Sequence, residues 1–105
     1  MKQYSVILIG AGNRGMTYTR EMLKMPEKYK LVAMADPLGY KRERCQMEFG
    51  LTAEQCYNDW RDILSKPKMA DIAIIATMDD MHYEPAMKAI DLGYDLLLEK
   101  KKSYD

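Results

Sequence analysis

The stretch "VILIGAGNRGM", Val6 to Met16, decides how this chain is to be read. A β-branched, apolar run stops on Gly10, Gly12 and Gly15, three glycines at G-x-G-x-x-G spacing. Such a turn is either a tight structural link between a strand and a helix or a backbone cradle for a bound group. Its flanks bear on the choice. Upstream, Tyr4 to Ile9 reads as a buried strand by its length and by the glycines that end it. Downstream, Asn13 to Lys24 reads as a helix closed by Met25-Pro26.

The same alternation continues outward. Leu31 to Ala35 is a second buried strand ending at Asp36-Pro37, and Lys41 to Phe49 is a charged helix with Gly50 as its stop. Gln55 to Tyr57 reads as a short third strand, and Asp59 to Leu64 as a helical turn capped by Asn58. Ile72 to Ala76 is a fourth strand. A helix from about His82 to Leu92 ends at Gly93, with Pro85 tolerated in its first turn. Tyr94 to Leu98 is a fifth strand. Strands that are apolar throughout need cover on both faces, and strand–helix alternation implies parallel pairing with right-handed crossovers. The expectation is one α/β domain over residues 1–105, a doubly wound, Rossmann-like sheet of five strands in the order 3-2-1-4-5. Ligands on such sheets bind beyond the carboxyl ends of the strands where the winding reverses, here between the first and fourth strands.

The glycines sit where that crevice opens. They follow a strand, begin a helix, and precede an acidic residue, Asp36, by 21 positions from Gly15, which are the three conditions of a dinucleotide fingerprint. Gly10 permits the tight turn, Gly12 admits a pyrophosphate close to the backbone, and Gly15 lets the helix approach the strand. The N–H groups around Asn13 and Arg14 then face the phosphates with the positive end of the helix dipole behind them. Asp36, at the end of the second strand, suits the hydroxyls of an adenosine ribose and repels a 2′-phosphate, which favours NAD over NADP. Lys41 and Arg42 are near enough to reach a phosphate but read as a solvated helix face shared with Glu43 and Arg44.

Composition excludes several classes. Sixteen Lys and Arg balance sixteen Asp and Glu, so no net field draws the chain to nucleic acid or to an anionic membrane. No apolar run approaches the roughly 20 residues of a membrane span, and because Met1 leads straight into a strand no signal peptide is expected. Cys45 and Cys56 have no CxxC spacing and no companion His, so no metal site is expected, and two thiols suit a reducing, cytoplasmic setting. Trp60, Ile63 and Leu64 fit a helix packed on the sheet. Met22, Met34, Met47 and Met87 read as fillers of an irregular core.

Further polar residues fall on the same rim. "TMDDMH", Thr77 to His82, follows the fourth strand, and Glu99-Lys100 follows the fifth. Taken together, "GAGNRG", "MADP", "ATMDDMH" and "LLLEKKKS" resemble the N-terminal domain of the Gfo/Idh/MocA oxidoreductases, which include glucose–fructose oxidoreductase and inositol dehydrogenases. The resemblance covers essentially the whole chain. Thr77, Asp79 and His82 match the family's T-P-[N/D]-x-x-H, with Met78 in place of the proline. Glu99 and Lys100 match its E-K-P, with Lys101 in place of the proline.

The resemblance implies an NAD-dependent hydride transfer with a sugar- or polyol-like alcohol. It assigns proton transfer to Lys100 and cofactor contacts to Thr77, His82 and Glu99. Family members generally carry a second α/β domain that binds substrate. The chain therefore reads as a cofactor domain without that partner, expected to be inactive alone. Two other classes stay open at this point: the cofactor domain of a redox-elimination glycosidase that uses tightly held NAD, and a non-catalytic nucleotide-binding fragment. Leu96, Leu97 and Leu98 put apolar side chains on both faces of the outer strand, so self-association through residues 94–98 is expected.

Overall fold

The computed structural model describes residues 2–77 and 83–98. Strands β1 (Tyr4–Ile9), β2 (Tyr29–Ala35), β3 (Cys56–Tyr57), β4 (Ile72–Ile75) and β5 (Asp95–Leu98) alternate with helices α1 (Asn13–Leu23), α2 (Gly39–Phe49), α3 (Trp60–Leu64) and α4 (Tyr83–Leu92). A 3-10 turn, Ala53–Gln55, leads into β3. The sheet runs β3-β2-β1-β4-β5 with every pairing parallel, the expected order.

The two-residue period of a strand sorts its side chains between two cores. Ile7 and Ile9 of β1 join Ala33, Ala35, Ala73 and Ile75 on one face, covered by Ile63 and Leu64 of α3 and Ala89 of α4. Val6 and Leu8 join Leu31, Met34 and Ile74 on the other, covered by Met16 of α1 and Cys45 of α2. Helices on opposite faces before and after the β1/β4 junction make that junction the point of reversal. Ile7, Leu8, Ile9, Ile74 and Ile75 are fully buried. Each such side chain contributes about 1.5–3 kcal/mol relative to exposure. No described helix is long and apolar enough to cross a membrane.

Several boundaries differ from the sequence reading. β2 begins two residues early at Tyr29, whose ring lies 6.3 Å from that of Tyr4 on the paired strand. α2 begins at Gly39, before its charged segment, and ends at Gly50, which adopts φ +71°. The N-cap of α3 is Asp59, not Asn58: its carboxylate accepts the Arg61 N–H at 2.8 Å. β5 starts at Asp95, because the Tyr94 N–H still bonds to the Ala89 carbonyl at the exit of α4. The methionines divide. Met34 is buried and Met22 half-buried, whereas Met47 is 87% exposed and Met87 42%, so the last two are not core fillers.

Candidate functional site

The three glycines do three different things. Gly10 adopts φ +88°, and a Cβ there would fall 2.7 Å from the Ala76 carbonyl oxygen and 2.9 Å from the Thr77 nitrogen. The end of β4 therefore presses directly on the turn. Gly15 lies inside α1, and its Cβ would meet the Ala76 Cβ at 2.7 Å, the Gly10 oxygen at 2.8 Å and Leu8 Cδ1 at 3.3 Å. Only the missing methyl lets α1 sit this close to β1 and β4. Gly12 is the exception: nothing lies within 4 Å of the Cβ it would carry, and its φ of −72° suits any residue. The protein itself does not need a glycine there. Space is left open at the mouth of α1.

That mouth favours an anion. Gly12 caps α1 without a side-chain bond, and the first turn holds no acidic residue. The leading N–H groups of a helix lack intrahelical partners and carry its positive dipole end. Asn13 and Arg14 open the helix on its exposed side. The acidic residue stands across from them. Asp36 is 6% exposed, its Oδ2 accepts the Ala11 N–H at 2.8 Å and its Oδ1 accepts the Leu38 N–H at 2.9 Å. The carboxylate thus bridges the glycine loop and the turn after β2. Each oxygen keeps a further lone pair for an incoming hydroxyl.

Arg42 departs from its expected place on a solvated face. It is half-buried, and its Nη1 donates to the Asp36 carbonyl at 2.8 Å, so its guanidinium lies across the end of β2. Its neighbour Lys41 is also partly covered. Thr77 is brought against Gly10, as the reversal point requires. Its hydroxyl oxygen is buried with no hydrogen-bond partner, the single buried side-chain oxygen or nitrogen so left among the described residues. Such a hydroxyl costs free energy unless something bonds to it. His82, Glu99 and Lys100, with Met78, Asp79 and Lys101, lie outside the described residues.

The cysteines have no place in this chemistry. Burial, reinforced by the nearby Cys56, raises the Cys45 thiol to about 11, and burial raises Cys56 as well. Neither is a ready thiolate at neutral pH. Among the described residues no group of acidic, His or Cys side chains could hold a metal ion. Sequence reasoning missed the backbone donors Ala11 and Leu38. The Leu38 bond is an Asx turn, a pattern that Asp36-Pro37 signals. Ala11 lies 25 residues away, and no local pattern indicates it.

The model of the Gfo/Idh/MocA family, described as "Oxidoreductase family, NAD-binding Rossmann fold", matches residues 4–100. Among curated proteins, the scyllo-inositol 2-dehydrogenase (NAD(+)) of Bacillus subtilis (strain 168) is 28% identical over 98 residues, 93% of this chain. Among solved structures, the myo-inositol 2-dehydrogenase of Lactobacillus plantarum aligns at TM-score 0.82 and 24% identity over 94% of this chain and 28% of that one. The WlbA dehydrogenase of Bordetella pertussis, in complex with NADH and UDP-GlcNAcA, aligns at 0.83 and 18% identity over 95% of this chain and 29% of that one. At these identities the two structures establish the shared fold. The chain spans 28% of the length of the curated relative.

Proposed function

This chain belongs to the Gfo/Idh/MocA oxidoreductase family, as an NAD-binding Rossmann fold, and from that premise we propose that it holds NAD for the oxidation of a sugar- or polyol-like alcohol. The observation that carries the reading is the open volume at Gly12, set between the start of α1, which no side chain caps, and the Asp36 carboxylate. Gly10 and Gly15 are glycines because protein atoms crowd them. Gly12 is one because the space serves something else, and a pyrophosphate at a helix N-terminus fits it. Asp36 accepts the adenosine ribose hydroxyls with its remaining lone pairs and disfavours a 2′-phosphate. NAD is therefore the preferred form, NADP the lesser. The Thr77 hydroxyl, buried without a partner on a residue whose backbone nitrogen abuts Gly10, supplies a polar contact at that end of the crevice.

When bound, the nicotinamide supplies hydride transfer. The chain's own residues position it and move the proton. Lys100 is the proton-transfer group, with His82 and Glu99 beside the cofactor, as the family resemblance implies. The alcohol class comes from the inositol dehydrogenases among the relatives. Two free thiols suit a cytoplasmic setting. Calorimetric titration with NADH and NADPH tests the reading: tighter NADH binding is expected, equal or tighter NADPH binding overturns the NAD assignment, and binding of neither overturns the cofactor itself.

Assembly belongs to the same proposal. Among the described residues β5 is the outermost strand on its side of the sheet, with Leu96 and Leu97 only half-buried, so two copies pair through this edge. Sedimentation at tens of micromolar that gives a clean monomer would refute the pairing.

A further inference from the structure

An acidic residue at this position is ordinarily credited with reading the ribose, yet both Asp36 oxygens are already engaged by the protein. Oδ2 takes the N–H of Ala11, between the first two glycines, and Oδ1 takes the N–H of Leu38, which caps α2. The Asp36 N–H donates to the Tyr57 carbonyl at 3.0 Å, and the Asp36 carbonyl accepts from Arg42. The residue is thereby tied to the glycine loop, the β2–α2 turn, β3 and α2. At 6% exposure these are bonds made largely out of water, where a lost partner is expensive.

We propose that Asp36 is a positioning residue for the glycine loop: its carboxylate holds the Ala11 amide, and hence the backbone on which the pyrophosphate rests, whatever the ribose carries. This deepens the dinucleotide reading and rests on it. The consequence concerns specificity. If Asp36 only screened the 2′ position, a small neutral replacement would remove the repulsion and NADPH affinity would rise. If it also clamps the loop, the same replacement loosens the platform that both cofactors share, and NADPH gains nothing.

Asp36→Ser and Asp36→Asn are compared with the parent chain. Exchange of the Ala11 amide is followed by NMR, and affinities for NADH and NADPH by calorimetry. Asp36→Asn serves as the milder variant should the serine form fail to fold, since its amide oxygen can still accept one of the two N–H groups. Expected in Asp36→Ser is Ala11 exchange faster by about tenfold or more, and in Asp36→Asn faster exchange at Ala11 or Leu38, whichever donor the single amide oxygen releases; amides in β1 and β4 stay unchanged, and both nucleotides bind more weakly. Unchanged Ala11 protection together with improved NADPH binding overturns the proposal. If the parent binds neither nucleotide, the cofactor reading fails while the exchange data still decide whether the clamp exists.

Discussion

Replacing Gly12 with alanine separates what the fold needs from what the ligand needs. No protein atom lies within 4 Å of the added methyl, and φ −72°, ψ 178° is open to alanine. Two small effects then oppose each other. Restricting the unfolded chain stabilises by about 0.4–1 kcal/mol where the native conformation is compatible. Alanine is a poorer N-cap than glycine, which costs roughly the same. The sum is near zero, within about 0.5 kcal/mol, or roughly 4 °C of melting temperature at this size. Binding should respond quite differently, because the methyl projects into the volume assigned to the pyrophosphate. A displaced backbone contact to a charged phosphate is worth about 1.5–3 kcal/mol, a loss of tenfold or more in NADH affinity. Melting followed by circular dichroism and titration of NADH by calorimetry measure the two quantities on one sample. A variant that melts like the parent and binds NADH within twofold of it would refute the placement of the pyrophosphate. A variant that unfolds would refute the claim that the fold leaves Gly12 free.

Gly15→Ala should behave in the opposite sense. Its methyl meets Ala76 Cβ at 2.7 Å and the backbone Gly10 carbonyl at 2.8 Å, so overpacking toward the upper part of about 1–3 kcal/mol is expected, against a helix-propensity gain of at most ~1 kcal/mol, for a net cost of roughly 1–2 kcal/mol. Melting should fall by roughly 4–15 °C, and an unchanged melting temperature would show that α1 can retreat without cost. Asp71 tests the other end of the sheet: its Oδ2 accepts the Ser5 N–H at 2.9 Å, and that bond chiefly holds its carboxyl below the usual range, helped by the Ser5 hydroxyl, Lys2 and Lys68. A depressed carboxyl stabilises the fold above its unfolded value and loses that contribution as pH falls through the folded one. Asp71→Asn should therefore lower the melting temperature at pH 7, with the gap to the parent narrowing only below ~pH 4; a gap independent of pH argues against the ionic component. Cys45 is fully buried with its thiol at about 11, leaving a thiolate fraction of order 10⁻³ at pH 8. Iodoacetamide should label the half-buried Cys56 first and reach Cys45 only on unfolding; equal rates in the native protein contradict the packing.

Strand order, fold class and the point where the winding reverses were legible in the sequence because they rest on local chemistry. The apolar strands, the helix stops at Gly50 and Gly93, and three glycines after a strand each act within a few residues of themselves. Parallel winding follows from their alternation, and the family resemblance from the same short motifs. What stayed out of reach depends on residues far apart in the chain. The sequence assigns Gly10 and Gly15 their roles, but only the packed fold identifies Ala76 as the neighbour that enforces both. Asp59 rather than Asn58 caps α3 because φ/ψ at the turn aims one of two equivalent caps at the Arg61 N–H. Met47 looks like core by type, yet the rotation of α2 on the sheet turns it to solvent while Cys45 goes in. Arg42 looks solvated by its charged neighbours, but the carbonyl that receives it closes β2. Asp36 shows the division most clearly: its residue type and its 21-residue spacing from Gly15 announce an acid suited to a ribose, whereas its hold on the Ala11 amide exists only because β1 and β2 lie side by side, bringing the residues just past two strand ends, 25 apart in the chain, within one buried hydrogen bond.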